Sequence, residues 1–299
     1  MNDLGTDEIV PKRLWWRQIR AVMDIEIKKH FWGKRSLALY LLTMLPVLVV
    51  AINAYNVRNG MRYEQKFEQY EDGTKARPEG DERFTLTTQT AGFARFYSGF
   101  LLQVITFFTC LRIFLGLFRV ELMERGLHFY FLSPIRRDLL VVGKFLSGFL
   151  PASLLLGVVT ILCVFLHYLP YGWSVSRAYL FDGPGLAHGL AYLGTTVMAC
   201  LGYGTLFFLF GFFFKNSVVP AVILFIYEVF SFLWPALLKK FTIIFYLQSI
   251  TPIPTVSSAF AIVAEPVGLG FSLPGFLLFT AGAIAMISFF IRRMDIRYI

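Results

Sequence analysis

Long apolar runs alternate with short charged stretches along most of this chain. Several runs exceed the roughly 18 residues that mark a membrane-spanning helix. A backbone in hydrocarbon must satisfy its polar groups within the segment, which favours helices. The pattern therefore predicts an all-α integral membrane protein with six spanning helices. Their approximate ranges are residues 37–55, 96–118, 139–168, 187–214, 218–238 and 271–291.

The segment before the first span has a different pattern. From Pro11 to Arg35, apolar residues recur at spacings of three and four, and charged residues occupy the opposite face. This arrangement is typical of an amphipathic helix that lies in the membrane surface. The predicted apolar stripe is Trp16, Ile19, Met23, Ile27 and Phe31, and the predicted polar face is Arg17, Arg20, Asp24, Lys28 and Lys29.

Two other segments interrupt the spans. Residues 56–92 are polar and contain turn signals such as Asp72-Gly73, so we expect an extracytoplasmic loop. Residues 239–269 are apolar but are broken by several prolines, among them Pro252 and Pro254. Broken backbone at membrane depth must be buried in protein or line a cavity. We therefore expect a re-entrant or interfacial helical segment before the last span.

The basic residues predict how the chain is oriented. We divide it into a cytoplasmic tail with the interfacial helix, residues 1–36, and a transmembrane domain, residues 37–299. With the amino terminus in the cytoplasm, 17 Lys and Arg residues lie on the cytoplasmic side and 10 on the other. This bias follows the positive-inside rule. Both termini are then cytoplasmic, and we expect a multi-pass protein of a bacterial inner (plasma) membrane.

Composition narrows the function classes. The net charge of +9 comes from residues that flank apolar runs, which indicates contact with lipid headgroups rather than nucleic acid. The three cysteines fall within predicted spans and form no metal-ligand cluster. No phosphate-binding loop is present, because Gly143-Lys144 lacks the upstream glycine and is followed by Phe145. Motifs of metalloproteases and serine hydrolases are also missing. We expect no enzymatic activity and no bound cofactor.

The most distinctive charged stretch, residues 119–138, lies between the second and third predicted spans. It contains a carboxylate pair, a glycine break, an aromatic run, and then Ser-Pro-x-Arg-Arg at the start of the next helix. An ordinary charged loop on the cytoplasmic side would share this composition. The residues that we single out are Glu121, Glu124, Arg125, Gly126, Pro134, Arg136 and Arg137.

Followed by Gly143-Lys144, this stretch resembles the coupling-helix region of type-2 ABC exporter permeases. The resemblance extends to the interfacial helix, the six spans and the broken segment before the last span. It implies that the residues singled out above contact a soluble ATP-binding subunit, which would carry ATP and magnesium. It also implies a second permease subunit, identical or different, in the same bilayer. A second hypothesis is a membrane scaffold or assembly subunit of a larger complex, with this fold and no transport cycle.

Two ionisable residues, Arg112 and Glu228, fall inside predicted spans. Charges at membrane depth are costly and usually indicate a partner or a function. Arg112 is close enough to the cytoplasmic boundary to extend its side chain to the interface. Glu228 needs a partner, a proton or a hydrated cavity. A pair between Arg112 and Glu228 is one possibility if the second and fifth spans pack together.

Overall fold

A computed structural model describes residues 12–33, 36–70, 86–123, 137–253 and 269–293. In these ranges the chain is helical and contains no strand, so the protein is an all-α integral membrane protein, as the apolar pattern predicted. The described α-helices are α1 (Lys12–Phe31), α2 (Leu37–Tyr70), α3 (Leu86–Phe96), α4 (Phe107–Met123), α5 (Arg137–Tyr168), α6 (Trp173–Arg177), α7 (Gly185–Phe213), α8 (Val218–Val229), α9 (Ala236–Lys239), α10 (Ile243–Ile250) and α11 (Leu269–Arg293).

Five helical stretches among the described residues are long and apolar enough to cross a membrane. One of them is built from α3 and α4, which a π-helical segment, Tyr97–Thr106, joins into a continuous helix. The second span therefore begins at Thr88, before the predicted start at residue 96. The five stretches are Leu37–Met61, Thr88–Leu117, Arg137–Tyr171, Gly185–Phe213 and Gly270–Arg293.

The fifth predicted span, residues 218–238, is shorter in the structure. It consists of the 12 residues of α8 and a four-residue 3-10 turn, Phe230–Leu233. Together they rise roughly 26 Å, less than the ~30 Å of a hydrocarbon core. The helix ends before Pro235, because a proline disfavours helical backbone in the preceding residue, and Trp234 is extended with ψ of 144°. The chain then continues through the short helices α9 and α10.

Helices also extend into the predicted loop at residues 56–92. Helix α2 continues to Tyr70, and α3 begins at Leu86. The residues after Val57 are polar but rich in Arg, Glu, Gln and Lys, which favour helix, and the Asp72-Gly73 turn signal comes only after Tyr70. The loop prediction was therefore wrong for residues 56–70, because it relied on their polarity, whereas their helix propensity extends the helix of the first span.

Helix α7 lies at the centre of the domain and packs against α4, α5 and α11. Two glycines of α7 allow this close approach. A Cβ at Gly204 would lie 2.6 Å from the ring of Phe114, and one at Gly202 would lie 2.7 Å from the ring of Phe276. Small residues let helices approach closely in lipid, where burial in hydrocarbon alone provides no driving force.

The continuous helix formed by α3, the π-helical segment and α4 runs in the same direction as α7. At one end, the Tyr97 hydroxyl donates to the Tyr192 carbonyl, with an oxygen–oxygen distance of 2.6 Å. Further along both helices, the rings of Phe114 and Phe208 meet edge to face. The last turn of α4 and the last turn of α7 therefore lie on the same side of the domain.

Candidate functional site

A buried lysine connects three helices beside the predicted coupling segment. Lys144 lies in the second turn of α5, and its side chain is fully buried. Its ammonium donates to Glu26 Oε1 of α1 at 2.6 Å and to the Leu117 carbonyl of α4 at 3.0 Å. Charge-assisted hydrogen bonds of this kind are about twice as strong as neutral ones. We call Lys144, Glu26 and the Leu117 carbonyl the Lys144 cluster.

Gly143 brings α1 close enough for this contact. A Cβ at Gly143 would lie 3.1 Å from the Cβ of Val22 and 3.5 Å from the Ile19 carbonyl oxygen. Both Val22 and Ile19 are buried against α5. Both residues of the Gly-Lys dipeptide therefore contribute to the contact with α1. Gly143 leaves room for α1 to approach, and Lys144 binds it through Glu26.

The buried face of α1 differs from the predicted stripe. The prediction placed the whole stripe in the membrane surface, but Ile19 and Phe31 are buried inside the protein, whereas Trp16 is 71% exposed. Glu26, which the amphipathic pattern placed on neither face, is buried. Glu26 can face the protein interior because its carboxylate binds Lys144 there. Trp16 points away from the protein.

A second set of contacts joins the start of α5 to the end of α11. Arg137 Nη1 donates to the carbonyls of Ile291 and Arg292, each at 3.0 Å. The carboxylate of Asp138 pairs with the Arg292 guanidinium, with 2.7 Å between Nε and Oδ1. A cation at the last carbonyls of a helix also interacts favourably with the helix dipole. Arg137 is a predicted coupling residue, and here it holds the last spanning helix.

The start of α5 is therefore held both to the last turns of α4 and to the end of α11, beside the points where the predicted coupling segment leaves and re-enters the domain. Glu121 belongs to the last turn of α4, and Arg137 opens α5. Glu124, Arg125, Gly126, Pro134 and Arg136 lie outside the described residues.

Glu228, the buried carboxylate of α8, binds the start of another helix. It accepts hydrogen bonds from the backbone N–H groups of Ile243 at 2.7 Å and Ile244 at 3.1 Å. The Tyr203 hydroxyl donates to it at 3.2 Å. The first N–H groups of a helix have no partner within the helix and carry a partial positive charge. The N-terminus of α10 thus stabilises the Glu228 carboxylate as a positively charged side chain would.

Arg112 is not the partner that Glu228 uses in the structure. The Arg112 side chain is exposed, whereas Glu228 is fully buried. A further contact holds the same region, since Gln103 of the π-helical segment donates to the Glu228 backbone carbonyl at 2.7 Å. The two charged residues of the predicted spans therefore have separate surroundings.

These contacts fix helices to one another. In the part of the chain that the structure describes, no group of three or more His, Cys, Asp and Glu side chains could hold a metal ion. The Lys144 cluster joins α1 to α5 and the Arg137 contacts join α5 to α11, which are pairs of helices far apart in sequence. The Glu228 side chain binds α10, which follows α8 closely along the chain.

Comparison with known proteins gives no assignment: no protein-family model, curated protein or solved structure matches this chain. The resemblance to exporter permeases therefore rests on the residues of the sequence, and the function is a proposal.

Proposed function

We propose that this chain is the transmembrane permease subunit of an ABC-type exporter, which moves its substrate with ATP hydrolysed by a separate subunit. The resemblance of residues 119–144 to a coupling-helix region suggests the class. The observation that carries the proposal is the Lys144 cluster, which joins both helices that border this region to the amphipathic helix α1.

The cluster supports the proposal for a mechanical reason. A segment pushed by a docked ATPase does work on the pathway only if its displacement moves the spanning helices. Lys144 binds α4 through Leu117, and Arg137 binds α11 through its last carbonyls. Removing one partner of a buried ion pair typically costs about 3–5 kcal/mol. Such contacts favour joint movement of α1, α4, α5 and α11 over independent movement.

The proposal includes the partners that the resemblance implies. A soluble ATP-binding subunit, with its ATP and magnesium, would dock on residues 119–138 from the cytoplasm, and a second permease subunit would complete the pathway. Both termini would be cytoplasmic, in a bacterial inner membrane. The exposed Trp16 and Trp32 of the α1 region would then lie among lipid headgroups, where tryptophan is enriched.

Copurification from native membranes tests this proposal. We expect a soluble protein that contains a phosphate-binding loop and hydrolyses ATP to copurify with the tagged chain. Replacing Glu121 and Glu124 together by Ala should weaken this association, because both lie in the proposed docking segment. Asp182→Ala is the matched control, since Asp182 is exposed and lies on the side predicted to face outward.

The scaffold hypothesis makes the opposite prediction for this experiment. A scaffold subunit would copurify with other membrane proteins and with no ATP-hydrolysing subunit. Association with an ATPase that persists unchanged in the Glu121→Ala/Glu124→Ala variant would contradict the proposed docking site while leaving the class intact.

A further inference from the structure

A cavity of about 440 Å³ lies between the end of α5 and the start of α7. The chain crosses from one helix to the other through α6 and the turns around it, which cover the cavity on one side. Its size is within the roughly 300–1,000 Å³ of small-molecule sites. It shares no residue with the Lys144 cluster or with the Glu228 contacts.

The cavity wall is suited to hydrocarbon. Apart from Tyr168, Trp173 and Ser176, every lining residue is aliphatic, phenylalanine or glycine. The Ser176 hydroxyl already donates to the Tyr168 carbonyl at 2.9 Å. A polar ligand would lose its hydrogen bonds to water without recovering them from this wall. The wall therefore disfavours sugars, nucleotides and peptides, and favours an alkyl chain.

The opening of the cavity faces the bilayer. Ile161, Phe165 and Leu190 line it and are also more than half exposed on the two membrane-spanning helices. Exposed apolar side chains on such helices meet lipid rather than water. The hydrocarbon that adjoins the cavity is therefore the acyl region of membrane lipids.

Helix α6 places an interfacial pair at the rim. Trp173, which lines the cavity and is 74% exposed, and Arg177 are four residues apart and share one face of α6. Tryptophan is enriched where headgroups begin, and the arginine guanidinium binds phosphate oxygens. We propose that this cavity binds one acyl chain of a bilayer phospholipid, whose phosphate lies against Arg177. This binding site does not depend on the proposed transport function.

Photolabelling in vesicles tests the site. The full chain is reconstituted into vesicles of digalactosyldiacylglycerol, a host lipid without phosphate, with increasing mole fractions of phosphatidylglycerol that carries a diazirine in the middle of one acyl chain, and labelled peptides are mapped. We expect labelling of the α5 and α7 residues that line the cavity to saturate at a low mole fraction of the probe. Labelling of lipid-facing Leu277 and Leu278 on α11 should rise linearly, as contact with bulk lipid does.

Two glycines of α7 provide a matched pair of variants. Gly189 lines the cavity, and a Cβ there would have only Val164 near it, at 3.9 Å, so Gly189→Leu fills the cavity without a clash at Cβ. Gly194 has no atom within 4 Å of its Cβ position and does not line the cavity, so Gly194→Leu is the control. We expect loss of the saturable labelling in Gly189→Leu and full retention in Gly194→Leu.

Three results would overturn the proposal. One is cavity labelling in the wild type that rises linearly, which would mean bulk lipid contact only. Another is saturable labelling that survives Gly189→Leu. The third concerns Arg177→Gln. If the lipid phosphate binds Arg177, this variant needs a higher mole fraction of probe for half-saturation. An unchanged value would show that the phosphate does not bind Arg177. The wild-type titration decides the matter even if Gly189→Leu does not fold.

Discussion

Among the residues that the structure describes, two carboxylates, Glu26 and Glu228, are buried, and they are stabilised in different ways. Glu26 binds the ammonium of Lys144, whereas Glu228 binds two backbone N–H groups at the start of α10 and the hydroxyl of Tyr203. An ionised carboxylate in an apolar medium is very costly unless it is paired or hydrogen-bonded. Each arrangement therefore predicts a distinct response to substitution.

Lys144→Met should destabilise the protein strongly, because it leaves the Glu26 carboxylate buried without its cation. We expect a loss of about 3–5 kcal/mol in the free energy of unfolding. The double variant Lys144→Met/Glu26→Leu should recover most of it, since two apolar side chains can replace a buried pair at little cost. Unfolding of the purified protein in detergent, monitored by circular dichroism, measures both.

Asp138→Asn is the control for this experiment. It weakens an ion pair whose Arg292 partner is exposed, and solvent screens such pairs so that they contribute little to stability. A Lys144→Met protein as stable as the wild type would show that the Lys144 cluster does not hold α1, α4 and α5 together.

Glu228→Gln should also lower stability, by about 1–3 kcal/mol, because the amide offers one acceptor and places an NH₂ group against backbone donors. Arg112→Gln should have no effect alone and should recover nothing in combination, since the exposed Arg112 makes no contact with Glu228. Thermal unfolding of the four proteins of this cycle gives the coupling energy. Recovery by Arg112→Gln would place the two side chains in contact.

At the scale of elements, the closest contact between α4 and α7 depends on a glycine. Gly204→Ala would bring a methyl group to within 2.6 Å of the Phe114 ring, which is fully buried and cannot swing into open space. Overpacking of this kind costs about 1–3 kcal/mol. Gly194→Ala, on the same helix with open space around it, should be neutral or stabilising. Equal stability of the two variants would contradict the packing described for α7.

The sequence predicted those elements whose signal is a long apolar run. It located five of the six predicted spans to within a few residues, except that α2 ends later and α3 begins earlier than predicted. The fifth span was overestimated, because apolar character continues past Leu233 although Pro235 ends the helix. Helix α10 was foreseen only as a broken segment, since a mostly apolar run of eight residues does not distinguish helix from irregular backbone.

The candidate site was predictable in part. The Gly-Lys pair stood out by its motif, but its partner Glu26 did not, because an acidic residue between two helix faces gives no signal of burial. The partner of Glu228 could not be foreseen either. Its donors are backbone N–H groups 15 and 16 residues further along the chain, and side-chain identity does not reveal them.

In the whole molecule, the described helices place the end of α4, the start of α5, residue 215 and the end of α11 on one side. The α6 region lies on the other side. Cys110, Cys163 and Cys200 are buried, so an impermeant thiol reagent should give little background. We expect Ser174→Cys to react in intact cells and Lys215→Cys to react only after permeabilisation, because Lys215 belongs to the predicted cytoplasmic side. The reverse pattern would invert the topology.

The proposed function depends on docking of a soluble ATPase on residues 119–138, which site-specific photocrosslinking in native membranes tests. A photoreactive amino acid is introduced at His128, inside the segment, and at Ser174, on the opposite side. We expect a crosslink from position 128 to a soluble protein with a phosphate-binding loop, and none from position 174. Crosslinks from position 128 only to lipid or to other membrane proteins would contradict it.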